Sequence, residues 1–245
     1  MSTEKDPNTF EVSVAESIGM SELSPGGATA PAPAEEVVEK TDEEIQAERE
    51  EIIRKVLERK VELADKYVAP HEKVSRRVKA EDLARVIEDA TVMHEMCMVG
   101  RGEYNTAYAL AHSQINDQDP LRFFVTMKGE IYINPVITAH SHVLSQIQEG
   151  CMSYPEEPMR SVTRFEKVTV KYRTIAHKVS QSTGESVSEP YLTNEITSEF
   201  NGMMAQIMQH ECQHFNGWDI YREGSGVFKG IGEPVKHKAV DITQT

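Results

Sequence analysis

Residues 206–217 read Gln-Ile-Met-Gln-His-Glu-Cys-Gln-His-Phe-Asn-Gly and set His210, Glu211 and His214 in an H-E-x-x-H spacing. On a helix, residues four apart stand one turn apart on one face. Two imidazoles so placed can hold one metal ion, and the glutamate between them can act on a water beside it. Counted at about 100° per residue from Ile196, the side chains of Ile196, Phe200, Met203, Met204 and Ile207 gather on one side of a helix. His210, Glu211 and His214 fall on that same side, and Gln206, Gln209 and Gln213 fall opposite. Ionisable groups turned inward without partners are costly, and a metal with its water offsets that cost. The plain alternative is an ordinary helix with two hydrogen-bonded core histidines.

A helical histidine pair needs a third protein ligand, with one position left for water. The candidates are Cys151, the pair His140 and His142, and acids beyond the helix such as Glu223. His140 and His142, two apart in a loop or strand, are expected to be simply exposed. Cys151 stands in Glu149-Gly150-Cys151-Met152-Ser153, where the glycine lets the backbone approach a neighbour closely.

The elements that must position these groups follow from the rest of the chain. Its 245 residues make room for one ordinary domain with extensions. The net charge is −14, of which residues 1–50, with 13 acidic and 3 basic side chains, carry −10. The acidity therefore belongs to the amino-terminal arm, and no basic face for nucleic acid is expected. Three cysteines, Cys97, Cys151 and Cys212, form no disulfide framework and point to a reducing compartment. No apolar run reaches membrane-spanning length. The acidic start, Met-Ser-Thr-Glu-Lys-Asp, is unlike a signal or transit peptide.

Residues 1–40 are too rich in acids, proline and alanine to offset their chain entropy by burial, and are expected to be a disordered acidic tail. Thr41-Asp42-Glu43-Glu44 resembles a capping box and opens a charged amphipathic helix over 41–69. Its stripe of Ile45, Ile52, Ile53, Val56, Leu57, Val61 and Leu63 fits docking on the domain and pairing with another chain equally well. A domain over 70–232 follows, and 233–245 is expected to be a loose tail. Within the domain the spacing predicts a helix over about 80–99, with Leu83, Val86, Ile87, Ala90, Met93, Met96 and Cys97 inward, closed by Gly100. A hairpin is predicted over 121–135, ending at Asn134-Pro135, and a half-buried strand over 165–175. Asn194 is the expected N-cap of the motif helix and Asn216-Gly217 its end. The fold class is α+β: mixed or antiparallel strands around a central metal-binding helix, with additional amino-terminal helices.

These motifs resemble those of the peptide deformylases. The family's E-G-C-[LM]-S stands intact at Glu149–Ser153, and Q-H-E-x-x-H followed by glycine stands at Gln209–His214 with Gly217. The family's G-x-G-x-A-A-x-Q is matched by Ala107-Tyr108-Ala109-Leu110-Ala111-His112-Ser113-Gln114. Ile133-Asn134-Pro135 and Phe165-Glu166-Lys167-Val168 are similar connecting pieces, and the likeness covers residues 70–225. The resemblance implies Cys151, His210 and His214 as ligands of Fe(II), for which Zn, Ni or Co can substitute. It implies Glu211 as general base and acid, and Gln114 with the Met152 backbone N–H as oxyanion donors. It further implies Tyr108, Ala109, Arg160 and Ile207 as substrate contacts. The implied reaction is hydrolysis of the N-formyl group from nascent N-formyl-methionyl polypeptides. The implied place is the cytoplasm of a bacterium, the gene being bacterial or that of a bacterial virus, and the arm or first helix is open to the ribosome or another protein.

The departures bear on substrate rather than metal. Ala107 and Ala109 replace glycines of a strand that pairs with substrate backbone, so two methyl groups narrow that path. Tyr108 is bulkier than the usual aliphatic residue, Gln206 stands in place of an apolar one, and Gln213 replaces a common acid. Arg160 matches its family arginine only with a one-residue shift, whereas Arg164 matches a second one directly. Two rivals share these features: a deformylase-like binding or structural protein without turnover, and a zinc metalloprotease built on the same helix.

Overall fold

The computed structural model describes residues 9–13, 41–68, 74–180, 182, 186 and 188–222. Helix α1 (Asp42–Ala64) starts on a true capping box. The Thr41 hydroxyl accepts the Glu44 N–H at 3.2 Å, and the Glu44 carboxylate accepts the Thr41 N–H at 2.8 Å. Helix α2 (Leu83–Val99) follows a 3-10 turn and ends where Gly100 takes φ +70°, as the sequence leads one to expect. Its buried stripe is Val86, Ala90, Met93, Met96 and Cys97. Helix α3 (Gly202–His214) carries the H-E-x-x-H motif.

Strands β2 (Ala109–Ala111), β3 (Phe123–Thr126), β4 (Ile131–His140), β7 (Lys167–Arg173) and β10 (Ile196–Asn201) form an antiparallel sheet in the order β10-β7-β4-β3-β2. Strands β5 (Leu144–Glu149) and β6 (Arg160–Phe165) form a separate ribbon. Strands β1 (Thr9–Ser13), β8 (Ile175–Ser180) and β9 (Tyr191–Leu192) form a third sheet. The large sheet is covered on both faces. Phe123 and Val125 of β3 join the cluster under α2, while Phe124 between them joins the cluster under α3. Such a strand is buried throughout because side chains alternate between two covered faces.

The course of the chain differs from the sequence reading in several places. Ile196 and Phe200 belong to strand β10, paired with Tyr172 and Val168 of β7, so α3 begins at Gly202 behind Asn201 rather than behind Asn194. Asn134-Pro135 does not end β4. Asn134 takes φ +52° and its side chain clasps both backbone groups of Val78, which makes a bulge through which the strand runs on to His140. Thr9–Ser13, within the stretch expected to lack structure, is a strand against β8. The remainder of residues 1–40, Glu223 and the tail at 233–245 lie outside the described residues. Finally, the boundary near residue 70 is not a break in packing: Leu63 and Tyr67 are buried in the same cluster as α2.

Candidate metal centre

Helix α3 is buried on most of its circumference, not on one stripe. Ala205, Met208 and Cys212 pack on the sheet. Gln209 and Gln213, expected to face outward, are almost wholly buried, while Met203, expected to face the core, is 54% exposed. The glutamines are inside because each is satisfied there. Gln209 accepts the Phe165 N–H at 2.9 Å and donates to the Phe165 and Ala205 carbonyls. Gln213 accepts from Arg164 Nη1 at 2.9 Å. Both tie α3 to β6, the strand that follows the Cys151 loop.

That tie brings the two motifs together. The Cys151 Sγ and one ring nitrogen each of His210 and His214 lie within 4.8 Å of one another, with Sγ 3.4 Å from His214 Nε2. Among the described residues this is the one cluster of His, Cys, Asp and Glu able to hold a metal ion. His140 and His142 are exposed and take no part, as expected. Glu149 closes the arrangement. Its carboxylate takes Arg164 in two bonds, 2.8 and 2.7 Å, and reaches His210 Nδ1 at 2.8 Å. Burial pushes the Glu149 pKa up, but Arg164 and His210 outweigh it and hold the group ionised, down at about 2. An ionised partner on Nδ1 leaves the other ring nitrogen of His210 as the one able to bind a metal. Burial, then the neighbouring His210, pulls His214 well below its ordinary pKa, so its imidazole is in the neutral form a ligand needs.

Glu211 is buried beside these donors, and its Oε2 has no hydrogen-bond partner among the described residues. Burial raises its pKa to about 7, which suits a group that both takes and gives a proton near neutrality. A thiol and two imidazoles converging next to a buried carboxyl with one unpartnered oxygen fit a single divalent ion with an adjacent reacting group. Gln114, in the 3-10 turn after β2, is oriented by accepting the Ala111 N–H at 2.9 Å. Its Nε2 therefore points into the site, 3.6 Å from Cys151 Sγ and 3.0 Å from Ser153 Oγ. The Met152 carbonyl is held by Arg101 Nη1 at 2.9 Å. A Cβ at Gly150 would meet the Tyr104 hydroxyl and ring, so that side chain would have to move.

The pocket over this cluster is lined by Tyr108, Ala109, Gln114, Met152, Ile207 and Glu211, among others. Arg160 is not part of its wall. Its guanidinium lies over the Tyr221 ring at 4.8 Å, and the preceding Met159 faces the pocket instead. Successive residues of an extended chain point to opposite sides, so the one-residue shift that would have made Arg160 a contact turns it away. Tyr104 and Thr106 also line the pocket. The sequence carried no sign of this, since both precede the motif that starts at Ala107 and follow no period.

Fold and site together define an α+β protein in which Cys151, His210 and His214 form a cluster able to hold a metal ion. A sequence model described as polypeptide deformylase matches residues 66–225, and the chain belongs to that family. It is similar to the peptide deformylase of Bradyrhizobium diazoefficiens, 33% identical over 87 residues, covering 36% of this chain and 40% of that protein. The peptide deformylase of Nitrobacter hamburgensis is 32% identical over 93 residues, covering 38% of this chain and 43% of that one. The matched parts thus span about 40% of these relatives' lengths. Among solved structures, the class I type b peptide deformylase of Acinetobacter baumannii is similar at 25% identity and TM-score 0.45, covering 62% of this chain and 97% of that one. The Ehrlichia chaffeensis peptide deformylase, solved with actinonin, is similar at 21% identity and TM-score 0.47, covering 62% of this chain and 84% of that one.

Proposed function

We propose that the protein hydrolyses the N-formyl group of N-formyl-methionyl polypeptides, releasing formate and a free amino terminus. The observation that carries this reading is the convergence of Cys151, His210 and His214 beside Glu211, whose buried Oε2 has no hydrogen-bond partner among the described residues. Cys151, His210 and His214 would hold a divalent ion, Fe(II) in this reading with Zn, Ni or Co able to substitute. Such an ion supplies positive charge that polarises the formyl carbonyl and makes a water acidic enough to react near neutral pH. Glu211 takes the proton of the attacking water on its carboxylate and delivers it to the departing amine. Gln114 Nε2 and the Met152 backbone N–H donate to the oxygen on which charge develops. Tyr108, Ala109 and Ile207 form part of the wall that orients the substrate. Water is consumed, the C–N bond of the formamide breaks, and the amine leaves protonated.

The proposed substrates are nascent chains, which places the work in a bacterial cytoplasm, with the acidic arm of residues 1–40 and α1 as the parts available to the ribosome or another protein. Residues 70–232 are read as the catalytic body. No helix among the described residues is long and apolar enough to cross a membrane.

Mass spectrometry of a formyl-Met tripeptide and its unformylated twin, each incubated with metal-loaded protein, tests the reaction. Loss of the formyl mass from the first alone is the expected result. Cleavage of a peptide bond in either would show a protease, and no change in either would show a protein without turnover.

A further inference from the structure

One tight loop at the end of α2 brackets Cys151. Gly100 takes φ +70° there, and the Arg101 and Tyr104 backbones exchange two hydrogen bonds, 3.0 and 2.9 Å. On one side of Cys151 the Tyr104 ring sits against Gly150. On the other side Arg101 Nη1 donates to the Met152 carbonyl at 2.9 Å. The Tyr154 N–H donates to the Cys151 carbonyl at 2.9 Å and closes a turn. Both peptides flanking the Met152 Cα are thus fixed through their carbonyls. In a trans peptide the N–H points opposite to the C=O, so these bonds also set where the Met152 N–H is aimed. The end of α1 braces the same loop. Lys60 Nζ donates to the Tyr104 carbonyl at 3.0 Å. The Arg101 guanidinium lies over the buried ring of Tyr67 at 4.4 Å. The next residue, Val68, donates its N–H to the Gln114 carbonyl at 3.0 Å.

We propose that Arg101, backed by the Tyr67 ring, is a positioning residue for the oxyanion donors, and that the end of α1 belongs to the frame of the reacting site. This rests on the formyl-hydrolysing reading above, in which Met152 N–H and Gln114 Nε2 are those donors. Tyr67 and Val68, consecutive in the chain, reach both: Met152 through Arg101, and Gln114 through its own backbone. A guanidinium held over an aromatic face is attracted to the ring and keeps its planar fork in one orientation. Its Nη1 then stays on the Met152 carbonyl. Tyr104 lines the pocket, whereas Arg101 and Tyr67 stand behind its wall. Their effect therefore falls on the transition state, where charge develops, and not on substrate binding.

Steady-state kinetics of the metal-loaded full chain on a formyl-Met tripeptide tests this, with metal content and the thermal transition measured in the same samples. Arg101→Met keeps the bulk of the side chain and removes the donor. It is expected to lower kcat about 10- to 100-fold, with KM and metal content close to those of the wild type. Arg101→Lys keeps a donor without the planar stack and recovers part of that loss. Tyr67→Leu lowers kcat in the same sense, and the double variant falls no lower than Arg101→Met alone, because the ring acts through the guanidinium. A wild type that turns over while Arg101→Met matches its kcat overturns this proposal alone. So do losses that multiply in the double variant, or a loss of kcat accounted for by lost metal or a lost thermal transition. A metal-loaded wild type that releases no formate overturns the underlying reading, and this proposal with it.

Discussion

Nδ1 of His210 lies 2.8 Å from Oε2 of Glu149, a carboxylate that is itself gripped in two bonds by Arg164. The second motif thus does more than supply Cys151: its first residue orients His210, a proposed ligand in the third motif. Groups that orient metal-ligating histidines typically contribute about 10–100-fold in metal affinity. Glu149→Gln is therefore expected to weaken metal binding by about that factor while preserving the fold. Competition against a chromogenic chelator measures this, with the thermal transition as the control.

Cys151→Ala removes a proposed ligand rather than its support. The purified variant should retain little metal in a chelator competition and lose formate release with it. Full metal occupancy in this variant would show that the thiol is not a ligand.

Much of this centre is legible in the sequence, because the chemistry sits in two short motifs whose spacing survives any rearrangement of the fold. The start of α3 is not. Ile196, Ser198 and Phe200 alternate as a strand, while Ile196, Phe200 and Met204 also recur at helical spacing. Pairing with β7 decides between the two periods, and that partner is not local. Gln209 and Gln213 read as solvent-facing because they are polar. They are buried because Phe165 and Arg164, both on β6, satisfy them. Strands β5 and β6 went unread for a similar reason, since Leu144–Glu149 carries few apolar residues and is held by its partner's backbone.

His112 opens the 3-10 turn that carries Gln114. The ring of His112 is buried, its Nδ1 accepts the Leu121 N–H at 2.8 Å, and its Nε2 lies 3.0 Å from Asp89 of α2. Nδ1 is therefore unprotonated and the ring neutral. Burial lowers its pKa, and Asp89 only partly opposes that. An unfolded chain binds a proton on this ring below about pH 6.5 that the native protein does not, so stability rises with pH through that window and is lost on acidification. One such group contributes a slope of up to about 1.4 kcal/mol per pH unit. The acid limb of the thermal midpoint between about pH 6.5 and 5 should be shallower in His112→Gln than in the wild type at equal metal loading. An unchanged limb would show that His112 is not the titrating group.

The two alanines that replace the usual glycines both line the pocket and differ in burial. Ala107 is buried in the cluster under α2 and donates its N–H to the Cys97 carbonyl at 2.8 Å. Ala107→Gly should cost about 0.5–1 kcal/mol of stability and change KM less than the same change at the less buried Ala109. Ala109 lines the pocket. Ala109→Gly should lower KM for a formyl-Met peptide, because it widens the path along β2. Steady-state kinetics on both variants separates the two roles.

The most direct test of the centre as a hydrolytic site is formate release from a formyl-Met tripeptide by protein purified without oxygen and loaded with Fe(II) or Ni(II). Metal content is measured in the same samples, and Glu211→Ala is the comparison. The account predicts release by the wild type, its abolition in the variant, and full metal in both. Turnover that survives Glu211→Ala, or a fully metallated wild type that releases no formate, would contradict it.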